Sequence, residues 1–129
     1  MEKEFVPYEL ALELKQLGFE NPNPIGGYRG GAVFYYDKSS ELFYDGLPMY
    51  SSSYHRDMII APTYSQAFRW FREKHNMNHS IILHETTFSN DYQYLVLSND
   101  NEFVEVGYTT YEEAELVCLQ KLIEIVKTK

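Results

Sequence analysis

Four histidines, one cysteine and nineteen acidic side chains are the chemistry-bearing groups of this 129-residue chain. His75, His79 and His84 with Glu85 come nearest to a metal constellation, because imidazole nitrogens and a carboxylate suit zinc. Their spacing works against that use. His75 closes a helical pattern and His79 lies beyond it, while His84 and Glu85 are consecutive in a strand pattern and point to opposite faces. They read as surface histidines, and no metal or other cofactor is implied. Cys118 falls mid-helix on an apolar arc, away from the accessible, electropositive setting that a reactive thiolate needs, and reads as an inert core thiol. Glu85 with Asp91, or Asp45 with Asp57, are the carboxylate pairs available for acid and base work, and no spacing singles them out.

The glycines of GGYRGG, Gly26 to Gly31, resemble a phosphate loop only in composition. No strand leads in, no helix follows, and no Lys-Ser or Lys-Thr pair closes the loop, so the segment reads as a connector. Arg69, Arg72 and Lys74 give one helix a basic side that reads as a solvated face, with Arg69 and Glu73 spaced to pair. Tyrosine is the unusual feature: twelve in all, six of them between Tyr28 and Tyr54. Tyr35, Tyr36 and Tyr44 fit cross-strand aromatic pairs and Tyr28 a sheet edge. Tyr50 and Tyr54 differ, because GLPMYSSSYHRDMII has neither helical nor strand periodicity to bury them. Tyrosine with serine and glycine is the mixture favoured in binding loops, with large amphipathic contact area at low entropy cost. Tyr50, Tyr54, His55 and Arg56 therefore make a candidate recognition loop, against the plainer reading of tyrosines that cover a sheet or a subunit contact.

These residues must be positioned by a small set of elements. FVPYELALELKQLGF reads as a helix, with Pro7 suited to the first helical position, Leu10, Leu14 and Leu17 on one face, and Gly18 beyond the end. NPNPIGGYRGG is a loop, and AVFYYDKSSELFYDG is a hairpin turning through Asp37 to Ser40. APTYSQAFRWFREKH is a second helix, with Thr63 and Gln66 at capping-box spacing and Tyr64, Ala67 or Phe68, and Phe71 on one face. SIILHETTF, YQYLVLS and FVEVGY form an antiparallel meander, the first two joined at Ser89, Asn90 and Asp91 and the last two by the turn SNDNE. TTYEEAELVCLQKLIEIVK is a third helix, with Thr110 and Glu113 at capping-box spacing, Glu in its first turn and Lys in its last. Its apolar arc of Ala114, Leu116, Cys118, Leu119, Leu122, Ile123, Ile125 and Val126 is wide enough to require cover by a sheet. The expected fold class is α+β, one domain over residues 1–129, with antiparallel sheet and helices in two layers and the order α-ββ-α-βββ-α.

Composition sets the outer limits. Hydrophobic residues at 44% and charged residues at 23% are ordinary for a folded domain. A net charge of −8, shared equally between residues 1–61 and 62–129, opposes binding to phosphate backbones. The β-β-β-α order of the second half also occurs in double-stranded RNA-binding domains, but Glu112, Glu113 and Glu115 stand where those domains need lysine. The single cysteine, the acidic start MEKEFVPYEL and the lack of an apolar run near about twenty residues lead to an expectation of a cytoplasmic chain with no membrane association.

Three blocks, EFVPYELALELKQLGF, YSQAFRWFREKH and YTTYEEAELVCLQKLIEIV, resemble a family of short, uncharacterised bacterial and phage proteins, from which the chain departs by a longer middle at Asn21 to Ile60. The resemblance implies an intracellular accessory protein and supplies no catalytic residue. The functional expectation is a non-catalytic module that binds a protein partner, or itself, through the loop at 46–58 and the adjoining hairpin. Two alternatives stand beside it. One is a ligand binder or enzyme with a tyrosine-lined cleft by the second helix holding His84 or Glu85; the other is an acidic mimic of nucleic acid.

Overall fold

The computed structural model describes residues 4–19, 33–36, 42–45, 59–85, 90–99 and 101–128. The fold is α+β, with three helices and antiparallel sheets among the described residues. It divides into two compact units, Met1–Gln66 and Ala67–Lys129.

In the first unit, α1 (Tyr8–Gln16) begins after Pro7, whose carbonyl accepts from the Ala11 amide at 2.9 Å. Pro7 thus sits one position before the first helical residue, where its missing N–H costs the helix nothing. At the other end Gly18 takes φ +102°, and the amides of Gly18 and Phe19 return to the carbonyls of Lys15 and Leu14 at 3.0 and 2.9 Å. This is a Schellman ending, and the left-handed residue it requires is why glycine follows the helix. Leu10, Ala11, Leu14 and Phe19 are buried.

Strands β1 (Val33–Tyr36) and β2 (Leu42–Asp45) form the expected hairpin, with Tyr36 opposite Leu42. A third strand, β3 (Ile59–Ile60), completes the order β2-β1-β3. Ile59 and Ile60 pair with Tyr36 and Tyr35, which corrects the reading of 46–60 as wholly irregular. Two residues are too few to show a period, so their pairing comes from β1 and not from local pattern. Buried Tyr36 donates its hydroxyl to the Val6 carbonyl at 2.6 Å and meets Tyr8 edge to face. The hydroxyl thereby satisfies a buried acceptor while the ring fills the core.

Helix α2 (Tyr64–His75) has the expected capping box: the Thr63 amide donates to Gln66 Oε1 at 2.9 Å, and the Gln66 amide to Thr63 Oγ1 at 3.2 Å. Tyr64, Ala67, Phe68 and Phe71 are buried, as their spacing requires. Asn76, at φ +54°, turns the chain directly into the next strand.

The second unit is a helix layer on a sheet layer. Strands β4 (Met77–Glu85), β5 (Asn90–Ser98) and β6 (Asn101–Tyr108) are ordered β4-β5-β6, all antiparallel. β4 begins three residues earlier than its apolar run suggests, because Met77 and His79 find partners in Ser98 and Val96. Asn90 and Asp91 belong to β5 and not to the turn before it. Asn99, at φ +56°, supplies the left-handed residue of the tight β5–β6 connection. A bulge opposite Tyr92 and Tyr94 interrupts β6 at Gly107, whose φ of +99° suits the extra residue. Helix α3 (Tyr111–Lys127) packs on all three strands. Thr110 Oγ1 accepts from the Glu113 amide at 3.0 Å, whereas the Glu113 carboxylate turns to Thr109 Oγ1 at 3.3 Å. Ala114, Cys118, Leu119, Leu122 and Ile123 are buried; Leu116, Ile125 and Val126, at the margins of the arc, are partly covered.

Candidate functional site

Tyr50, Tyr54, His55 and Arg56 lie outside the described residues, as do Asp57 and the glycines of GGYRGG. The histidines, which the spacing already reads as separate groups, are each engaged by different contacts. His75 packs its ring against Trp70 and Phe71. His79 stacks on Phe68, centroids 3.7 Å apart at 12°, and burial with the nearby Arg72 charge lowers its pKa to about 4. It is therefore neutral at physiological pH. His84 stands directly opposite Asp91 in the β4–β5 ladder, with Nδ1 3.4 Å from Oδ1. The contact brings imidazole and carboxylate together without hydrogen-bond geometry, and Asp91 Oδ1 is shielded with no hydrogen-bond partner. The carboxylate that sequence order linked to Glu85 thus faces His84, while Glu85 faces Asn90. Among the described residues, no three metal-ligand side chains converge.

Cys118 is fully buried, and burial followed by the Glu115 charge pushes its thiol up to about 12. Such a thiol holds its proton and is a poor nucleophile. Arg69 pairs with Glu73 at 3.0 Å on the exposed face of α2, as the spacing indicates.

One polar cluster was not foreseen. Between β6 and α3 runs an open groove of about 480 Å³, lined on its sheet side by Tyr94, Phe103 and Glu105 and on its helix side by Val117, Gln120 and Lys121. Tyr94 and Tyr108 both donate to Glu105 Oε2, at 2.7 and 3.0 Å. Those hydrogen bonds hold the Glu105 carboxyl below its ordinary range, while burial and the carboxylate raise both phenols. A carboxylate with two donors is a weak base, and a phenol so raised is a weak acid, so the trio fastens β5 to β6 and is poorly suited to moving protons. Lys121 lies over the Phe103 ring at 4.8 Å and 3.7 Å from Glu124, a cation satisfied within the chain. His84 and Glu85 do not line this groove.

The other unforeseen feature is apolar. Tyr94, Val96 and Ser98 of β5 face α3 and are buried, so Leu95 and Leu97 project from the opposite face. By register, Ile82 of β4 and Val104 of β6 share that face, with Val104 directly opposite Leu95. Ile82, Leu97, Val104 and Val106 are 44%, 42%, 48% and 57% exposed. The signal was present in the consecutive apolar residues Ile81-Ile82-Leu83 and Leu95-Val96-Leu97, which leave no polar set for water.

Among the described residues no helix is long and apolar enough to cross a membrane. No protein-family model matches the chain, and no curated protein or solved structure shows significant similarity to it.

Proposed function

We propose that the chain is a non-catalytic protein-interaction module. The observation that carries this reading is the row of exposed aliphatic side chains, Ile82, Leu97, Val104 and Val106, on the face of the second sheet opposite α3. A contiguous apolar surface of this kind is unfavourable in water and marks a contact site. Asp91 and Glu102 border it, and the chain carries a net charge of −8, so the partner it suits is a protein with an apolar ridge flanked by lysine or arginine. The same charge disfavours nucleic acid as the ligand. Tyr50, Tyr54, His55 and Arg56 enter the proposal on composition, as a second contact region. The free thiol of Cys118 supports a cytoplasmic role.

The test is capture of a partner by tagged protein, compared with Val104→Lys and with Tyr50→Ala, Tyr54→Ala. A partner that is lost with Val104→Lys, at an unchanged thermal midpoint, and that dissociates more readily in high salt supports the reading. Retention by both variants overturns it.

A further inference from the structure

The second sheet has two edges, and they differ. β6 carries Glu102 and Glu105 and is broken by the bulge at Gly107, which are ordinary protections of an edge. β4 has none of these. Its ladder with β5 runs without interruption from Met77–Ser98 to Glu85–Asn90, and its nine residues, MNHSIILHE, contain one formal charge, at the last position. Asn78, Ser80, Ile82, Leu83 and His84 are all exposed. Among the described residues β4 is paired on one side only, by β5, and a regular strand of nine residues with an unpaired edge is a template for another strand.

We propose that β4 pairs antiparallel with β4 of a second copy, joining two three-stranded sheets into one of six. Self-pairing centred on Ile81 places Ser80 opposite Ile82, His79 opposite Leu83, Asn78 opposite His84 and Met77 opposite Glu85. No like charges meet, and the exposed Ile82 and Leu83 each gain a cross-strand neighbour. The same operation on β6, centred on Glu105, would set that carboxylate directly opposite its own copy. With a net charge of −8 opposing contact between copies, the neutral edge is where a second chain is accepted. This surface is the strand edge; it shares Ile82 with the aliphatic face on which the proposed partner binds, while Leu97, Val104 and Val106 belong to that face alone.

An interface made by one strand of this length is small, so association is weak and concentration-dependent. Sedimentation of the full chain from about 1 to about 200 μM should show a monomer–dimer equilibrium within that range. The Ser80→Lys, Ile82→Lys pair places lysine opposite lysine twice and should raise the dissociation constant more than tenfold; Ser80→Glu, Ile82→Glu should do the same. Mixing the two variants should restore a dimer, because each lysine then faces a glutamate. In the wild type, amides of Asn78 to His84 that do not donate to β5 should exchange more slowly as concentration rises, a readout independent of how the variants fold. A wild type that stays monomeric at about 200 μM, a lysine variant that associates like wild type, or a mixture that stays monomeric would each overturn the proposal. A dimer lost with Val104→Lys would do so too, since it would place the contact on the sheet face. None of these results decides whether a partner protein binds that face.

Discussion

The two faces of the second sheet are built from the same three strands and the same kinds of side chain, yet one is covered and the other open. Towards α3, Met77, Tyr94 and Val96 are almost completely buried; on the other side Ile82, Leu97 and Val104 are close to half exposed. A sheet with one wet face normally alternates apolar and polar residues, because only one face gains from burial. Here the alternation is missing where β4 and β5 run through Ile81-Ile82-Leu83 and Leu95-Val96-Leu97. The covered face explains why the unit folds, and the open face is what the fold leaves available for contact. If the comparison is sound, substitutions on the two sides should separate stability from association.

The largest effect belongs to the covered side. Leu122→Ala removes a side chain that is 1% exposed on α3 and should cost about 2–5 kcal/mol in urea unfolding. Leu97→Ala removes the same atoms from the open face and should cost well under half as much. Equal losses would mean that the open face is covered in solution, which would break the contrast.

A second test uses pH and again concerns the covered face. His79 has a folded pKa of about 4 against 6.5 in the free side chain, chiefly through burial and secondarily through Arg72. Between those values the unfolded chain binds a proton that the folded chain refuses, so stability rises with pH across that window. The contribution is complete above about pH 6.5, is lost as pH falls towards about 4, and amounts to roughly 2 kcal/mol. His79→Phe should keep the stack on Phe68 and flatten the pH dependence of urea midpoints between about pH 6.5 and 4.5. An unchanged slope would show that the ring takes up its proton equally well in the folded and the unfolded chain.

How much of this was legible in the sequence follows from where the determinants lie. α3 announced itself because its cap, its end charges and its apolar arc are all local, and Thr110 and Glu113 meet as their spacing implies. Thr63 and Gln66 at α2, and Gly18 at the end of α1, were readable for the same reason. β3 was not, because Ile59 and Ile60 are strand only through β1. The His84–Asp91 contact depends on the register of β4 against β5, which no pattern within either strand specifies. The Tyr94–Glu105–Tyr108 cluster also joins residues by register, with a bulge between them. The open aliphatic face was written in the double apolar runs, but apolar runs announce strands before they announce which face stays uncovered.

That cluster gives a smaller, sharper measurement on the covered side. Tyr94→Phe keeps the buried ring and removes its donor to Glu105, leaving the carboxylate with Tyr108 alone. The expected loss is about 1 kcal/mol, since the exposed carboxylate regains water in exchange. Tyr108→Phe, at the more exposed ring, should cost less, and the double variant should exceed the sum of the two because the donors share one oxygen. Strict additivity in urea unfolding would show that the two hydroxyls act separately.

The smallest effect on stability is expected where the consequence for binding is greatest. Val104→Thr exchanges a methyl for a hydroxyl at a position 48% exposed, opposite Leu95 on the open face. Threonine keeps the β-branch that suits a strand, so the midpoint of unfolding should move by no more than about 0.5 kcal/mol. The new hydroxyl is hydrated in the free chain and must be stripped of water on contact with an apolar partner, a cost of about 1–3 kcal/mol when it finds no acceptor there. Partner binding measured by calorimetry should therefore weaken by roughly tenfold or more while stability stays in place. Binding that is indifferent to this change would move the contact off the open face, and the aliphatic row would then need an explanation in the folding of the sheet itself.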